Sequence, residues 1–321
     1  MRFLRTSALL VAAALFQAAP CGAQPAFTPT KPVHWIVPFP PGGAAEIASR
    51  VIANRLRVMW GQPVLIDTKP GAGTIIGTEA IAKSAPDGHT FGLVITAHVV
   101  NPTLRKLPYD TLKDLTGVSQ LVNLHLAFIA HASAPYNNIA DLVAYSKANP
   151  GKVFFGTVGA GTSSHLFGEL LNVATGSSLV HIPYKGSSPL QADVLGGSIL
   201  LMVDALASQL PMINSGKMKV IALAASKRHP DYPFPLASET YPGVIADSFF
   251  GLVAPAATPR DTITRLNRDI VDALAFPEVR DRIVQLGLIP VGSSPAEFDA
   301  LIRSEIARWA KVIEQSKVKL D

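Results

Sequence analysis

The chain has 321 residues, 48% of them hydrophobic and 16% charged, and carries a formal net charge of +5. That composition supplies a core for one large or two modest globular domains and excludes a disordered or fibrous chain. The 28 basic residues are scattered, with no run resembling a nucleic-acid arm, so no nucleic-acid partner is expected.

The N-terminus reads as a targeting segment. Arg2 and Arg5 form a charged region, Ala8 to Phe16 an apolar one too short to span a bilayer, and Cys21-Gly22-Ala23 fits a small-x-small cleavage site. Residues 1–23 are therefore expected to be a signal peptide, with Gln24 as the mature start. Removing Arg2 and Arg5 takes the charge from +5 to +3 and removes the lone cysteine. Lipidation of Cys21 is the alternative, against which Pro20 departs from a lipidation box. No later stretch reaches the roughly 18 uninterrupted apolar residues of a membrane span. A soluble protein exported to the periplasm is expected.

His34 to Val37 is a short apolar strand that runs into Pro38-Phe39-Pro40-Pro41, then Gly42-Gly43, then a helix opening with Ala44, Ala45 and Glu46. The first N–H groups of a helix have no intrahelical partner, and its dipole turns a positive end toward them. This stretch reads either as an anion seat or as an ordinary β–α connection. The helix runs to about Met59. A strand over Val64 to Asp67 leads to a second glycine turn, Pro70-Gly71-Ala72-Gly73-Thr74, and a helix over Ile76 to Ser84. Phe91 to Ile95 is a strand closed by Thr96-Ala97-His98. Repeated β–turn–α units predict a parallel sheet flanked by helices, with ligands beyond the carboxyl ends of its strands. The loops at Gly42, Gly71 and Thr96 should share that edge.

Val118 to Ala130 reads as one long apolar strand, and the helix Ile139 to Ala148 follows. The plan then repeats. A strand at Val153 to Gly156 opens a glycine-hydroxyl turn, Thr157 to His165, and a helix over Leu166 to Ala174. The strand Val180 to Pro183 is closed by Tyr184-Lys185-Gly186, and a helix covers Leu190 to Leu195. The strand Leu200 to Val203 ends on Asp204, before a helix over Ala207 to Ser215 and a strand over Val220 to Ala224. Ser248 to Ala254 is a second long extended segment, and three helical patterns finish the chain: Asp261 to Ala275, Pro277 to Leu286 and Pro295 to Gln315. Packing those helices on the first lobe would make the extended segments a double crossover between two lobes able to close on a ligand.

The chemistry-bearing groups do not add up to an enzyme. Gly159-Ala160-Gly161-Thr162-Ser163-Ser164 imitates a dinucleotide fingerprint, but Ser164 stands at its third glycine and no acidic residue ends the next strand. Backbone N–H groups with the Thr162, Ser163 and Ser164 hydroxyls suit a carboxylate, or simply cap a helix. No G-x-S-x-G elbow occurs, and the eight histidines show no metal-ligand spacing. No cofactor and no metal are expected. His98 closes a strand on the predicted ligand edge and is a candidate contact or a packed residue. Lys185 is a candidate counter-ion or a solvated lysine. Asp204 bonds the N–H groups of the next turn or accepts from a ligand.

Taken together, the motifs resemble one family over essentially the whole mature chain. They are PFPPGG at Pro38 to Gly43, PGAG at Pro70 to Gly73, PDGHT at Pro86 to Thr90, LPYD at Leu107 to Asp110, GTSSHLFGELL at Gly161 to Leu171, HIPYKGS at His181 to Ser187 and FFGLVAPAATP at Phe249 to Pro259. The chain is similar to the extracytoplasmic receptors of tripartite tricarboxylate transporters, the Bug proteins. The resemblance implies an α/β fold of two lobes, the type II periplasmic binding topology, with two parallel-rich sheets flanked by helices and a double crossover hinge. Residues 24–128 and 250–321 would form the first domain and 129–249 the second. It implies a cleft that closes on a small organic acid, held by Phe39, Pro41 to Ala45 and Gly71 to Thr74 on one side. Thr96 and His98, then Gly161 to Ser164, Tyr184, Lys185 and Asp204, would complete the site. It also implies a monomer that serves transporter membrane subunits.

Many members of that family read GGSTD where this chain has Gly42-Gly43-Ala44-Ala45-Glu46. Two hydroxyls become methyls, which favours a dicarboxylate or an aromatic carboxylate over a heavily hydroxylated acid. Two other classes stay open: a sensory adaptor that presents its ligand to a membrane histidine kinase, and an exported α/β enzyme.

Overall fold

A computed structural model describes residues 27–316; the expected signal peptide, its cleavage point and Cys21 lie outside them. The chain starts as β1 (Val33–Val37), α1 (Ala44–Trp60), β2 (Val64–Thr68), a 3-10 turn over Ala72–Thr74, α2 (Ile75–Ala82), β3 (Thr90–Ile95), α3 (Ala97–Leu104) and β4 (Leu115–Leu124). It continues with β5 (Leu126–His131), α4 (Ile139–Ala148), β6 (Phe154–Thr157), α5 (Ser163–Thr175), β7 (Val180–Pro183), α6 (Ser187–Leu195), β8 (Leu201–Ala205), α7 (Leu206–Asn214) and β9 (Met218–Leu223). It ends with α8 (Ala237–Thr240), β10 (Ser248–Pro255), α9 (Arg260–Ala275), α10 (Pro277–Gln285), β11 (Ile289–Pro290) and α11 (Pro295–Ser316).

Two sheets result. The first runs β11-β4-β10-β3-β1-β2 and the second β7-β6-β8-β5-β9. β1 is parallel to β2 and β3, and β6 is parallel to β7 and β8, as the β–turn–α repeats require. The crossover strands break that pattern: β10 is antiparallel between β3 and β4, and β5 is antiparallel between β8 and β9.

The single long strand expected over Val118 to Ala130 is two strands in two sheets. Leu124 pairs with Ser248 in the first sheet, while Leu126 pairs with Ala205 in the second. His125 alone separates them, its carbonyl accepting the Leu206 N–H at 2.8 Å. The sheet change thus falls earlier than a boundary after residue 128. Composition does not mark the switch, because apolar residues flank His125 on both sides and β5 is buried from Leu126 to Ala130 without alternation. The chain returns to the first sheet at Ser248, slightly before residue 250.

A second difference is α3. The segment after Thr96 is a helix, not a loop, although it contains Pro102. Proline removes one backbone donor there and disfavours a helix interior. Burial of Val99 and Val100 in the core holds the turn nonetheless. This helix carries Asn101 and delivers Arg105 to the cleft.

The terminal helices fasten the lobes. Trp60 at the end of α1 donates its indole N–H to Asp269 of α9 at 2.7 Å, and Arg265 donates to the same buried carboxylate. α11 packs on α3 and β4 of the first lobe and on α5 of the second. It buries Phe298, Ile302 and Trp309, each worth about 1.5–3 kcal/mol on area grounds. Its Arg308 donates to the Ile245 carbonyl at 2.6 Å, just before β10. Among the described residues no helix is long and apolar enough to cross a membrane.

Candidate functional site

The carboxyl ends of the parallel strands in both sheets face a shared cavity of about 380 Å³. Larger hollows of about 540 and 620 Å³ lie against α11 and are lined from the first lobe. The 380 Å³ cavity takes walls from both lobes and from the crossovers, so it is the candidate site.

The first glycine loop, the expected anion seat, is met in part from within the chain. Gly42, at φ +92°, is exposed, and its N–H donates to Glu46 Oε2 of the same loop at 3.3 Å. Glu46 is itself 4% exposed and is paired with Arg50 one turn on. The chain's own carboxylate therefore occupies the start of α1 and favours its dipole. Phe39 alone of this loop lines the cavity; Pro41, Gly42, Gly43, Ala44 and Ala45 do not.

The second glycine loop does reach the cavity. Gly71, Ala72, Gly73 and Thr74 follow one another at φ of 128°, 48°, 62° and 80°. Positive φ at Ala72 and Thr74 costs on the order of 1–3 kcal/mol each and persists only where the surroundings impose it. Asn101 imposes part of it, donating from its side-chain amide to the Gly73 carbonyl at 2.9 Å. Gly73 and Thr74 line the cavity, while Gly71 and Ala72 lie outside it.

The second lobe contributes the start of α5. Thr162 is its N-cap, accepting from the His165 N–H, and Leu166 N–H bonds the Thr162 carbonyl. The N–H groups of Ser163 and Ser164 precede the first intrahelical bond, as at any helix start. Ser164 is 2% exposed, lines the cavity, and its hydroxyl has no hydrogen-bond partner among the described residues. Gly161, Thr162 and Ser163 line the same wall.

His165 holds that loop in place. Gly161 N–H donates to its Nδ1 at 3.0 Å, which requires an unprotonated Nδ1. Its ring stacks on His181 at 3.6 Å, and His181 Nε2 lies 2.6 Å from the Thr157 hydroxyl. Burial depresses the His165 pKa to about 4, and burial with the neighbouring His165 depresses His181 to about 3. Both rings are neutral at neutral pH.

Asp204 lines the cavity from β8 and is 3% exposed. It accepts the Ala205 N–H at 2.8 Å and the Gln209 side-chain amide at 2.9 Å. Burial raises its pKa against these hydrogen bonds.

The remaining expected contacts fall elsewhere. His98 is fully buried, lines a separate cavity of about 140 Å³ beside Asp299 and Arg303, and has a pKa depressed by burial to about 4. It lines a different cavity from the cleft residues Ala97 and Asn101. Thr96 is buried below the cavity, its hydroxyl 3.0 Å from that of Ser248. Tyr184 donates its hydroxyl to Asp193 at 2.7 Å, and Lys185 is exposed; neither lines the cavity.

Several lining residues carry no sequence signal. Ile95, Leu124, Leu126 and Phe250 make an apolar wall along the strand ends and crossovers, opposite Val158. Arg105, at the C-terminal end of α3, is the one cation among the lining residues. Its Nε is buried without a partner, and the guanidinium lies against Gly73, where an added Cβ would come within 3.8 Å of it.

Comparison with known proteins gives a consistent picture. The family model described as "Tripartite tricarboxylate transporter family receptor" matches residues 48–318. Protein BugT of Bordetella pertussis is 36% identical over 297 residues, covering 91% of each chain. Among solved structures, the periplasmic binding protein BugD is 32% identical with a TM-score of 0.75, covering 91% of this chain and 99% of that one. Rpa4515 of R. palustris, solved with adipate, is 31% identical with a TM-score of 0.78 and the same coverage. The two-lobed fold described above is that of these periplasmic binding proteins.

Proposed function

Because the chain belongs to the tripartite tricarboxylate transporter family of receptors, which are solute-binding proteins and not enzymes, we propose that it captures a small organic carboxylate in the cleft between its lobes. It does so in the periplasm, as a monomer, and hands the acid to the membrane subunits of a tripartite tricarboxylate-type transporter. A dicarboxylate or an aromatic carboxylate suits the cleft better than a heavily hydroxylated acid, because Phe39, Leu126 and Phe250 line it.

One observation carries the reading: the partnerless hydroxyl of Ser164, a residue 2% exposed at the start of α5 that lines the cavity. Helix-start N–H groups and hydroxyls hold a carboxylate without a full positive charge, so the acid can still be released. Phe39, Gly73, Thr74 and Gly161 to Ser164 are the proposed contacts. The adipate in the R. palustris relative supports the same ligand class.

Calorimetry on the mature protein tests this. Carboxylates should bind where the corresponding neutral amides do not, and Ser164→Ala should weaken binding by about tenfold, near the value of a charge-assisted hydrogen bond. Equal binding of acid and amide would overturn the reading.

A further inference from the structure

We propose that Arg105 makes this receptor selective for acids carrying two carboxylates separated by an apolar spacer. The proposal rests on the carboxylate-receptor reading above and adds the partner of the second charge.

Arg105 has no ion-pair or hydrogen-bond partner for its side chain among the described residues, and its Nε is buried. A guanidinium carries five N–H donors in a rigid fork that matches a carboxylate, and it stays charged at any physiological pH. Its placement is specific: the helix end at Leu104 sets the backbone, and Gly73 leaves room for the guanidinium beside the second glycine loop. A Cβ at Gly73 would touch it at ordinary van der Waals distance, and the φ of +62° would strain any side chain there.

The start of α5 lies on the other lobe, with Ser164 buried and unpartnered. The same cavity has a large apolar share in Phe39, Leu124, Leu126, Val158 and Phe250, with Asn101 and Ser248 among its polar side chains. An occupant that satisfies both Arg105 and Ser164 has an anion at each end and hydrocarbon in the middle.

Asp204 is the one acid in the lining and decides between a dianion and a zwitterion. A ligand ammonium would pair with Asp204, but Ala205 and Gln209 already donate to that carboxylate, and Ser187 and Ser208 hydroxyls add to them. Arg105 has no such provision. The unmet demand in the cleft is for a second anion. Arg105 also borders the outer groove near Pro108 and Ile306, so part of the guanidinium is solvated and the selectivity is moderate.

The test is calorimetry of the mature protein against matched pairs: succinate with butanoate, adipate with hexanoate, suberate with octanoate. For the best-fitting length the diacid should bind about tenfold or more tightly than its monoacid. Arg105→Gln should bring the two within about threefold by weakening the diacid alone, and Arg105→Lys should keep part of the preference. Unchanged monoacid affinity shows that the variant cleft is intact. Arg105 is refuted as the selective group if Arg105→Gln keeps the wild-type preference, if it weakens mono- and diacid equally, or if benzoate or a monoacid matches the diacid in the wild type. Binding of no carboxylate at all would sink the receptor reading itself.

Discussion

Ser163 Oγ and Ser248 Oγ meet at 3.4 Å across the cleft, joining the first turn of α5 to the first residue of β10. Ser248 is in turn 3.0 Å from the Thr96 hydroxyl at the end of β3. The hydroxyl chain spans both lobes and exists only while they are together. Ser248→Ala should therefore weaken carboxylate binding by about fivefold, the worth of one hydrogen bond, chiefly through faster dissociation. Stopped-flow measurement of the off-rate checks this; an unchanged off-rate would remove the chain from closure.

The glycine loops should respond differently to the same substitution. An added Cβ at Gly42 meets nothing within 4 Å, but the φ of +92° strains any side chain there. Gly42→Val should cost about 1–2 kcal/mol of stability and leave affinity within about twofold. Gly73, at φ +62°, carries the same backbone strain, but Gly73→Val also places its methyls in the cavity beside Arg105 and should abolish measurable binding. Thermal melts and calorimetry on both variants separate the effects; loss of binding in the Gly42 variant would restore the first loop to the site.

Acid should loosen the second lobe. The folded-state pKa of His165 is about 4, below its ordinary 6.5, so the unfolded chain takes up the proton first. Its contribution is whole above about pH 6.5 and is lost as pH falls toward 4, with His98 and His181 acting in the same direction. The melting temperature should fall by about 5–10 °C over that window. His165→Asn keeps an acceptor for the Gly161 N–H and should shrink the fall; a pH profile identical to the wild type would contradict this.

Asp269 should be the most sensitive surface-distant acid. It is 4% exposed and accepts from Trp60 and Arg265 together. Asp269→Ala strands a buried indole N–H and a guanidinium, and should cost about 3–5 kcal/mol by urea unfolding while binding is kept. A loss below about 1 kcal/mol would mean that α1 and α9 are held by apolar packing alone.

The parallel units, the three terminal helices and the glycine-hydroxyl turn before α5 were legible in the sequence, because each has a local signal: a turn residue at a fixed offset, a helical period or a cap. Where the signal was local and the meaning was not, expectation and structure part. Pro41 to Ala45 reads as an anion seat until Glu46 is seen folded back onto Gly42. His98 sits at a strand end near the cleft, yet it is fully buried and lines a separate cavity. That same helix, obscured by Pro102, is why Arg105 gave no sign of itself. The apolar wall at Leu124, Leu126 and Phe250 comes from crossover strands, and no short-range pattern marks a chain that changes sheets at a single residue.

That change of sheets also bears on the order in which the two sheets can form as the chain emerges. Every strand of the second sheet lies between Leu126 and Leu223, so that sheet can form as soon as its own segment emerges. The first sheet cannot: β10 fills the gap between β3 and β4, and it arrives only at Ser248. Until then the inner edges of β3 and β4 stand open, and open strand edges invite pairing with other chains. The earliest part of the chain to appear is thus the last to be safe, and a chaperone that shields residues 90–124 would protect the nascent receptor at its weakest moment.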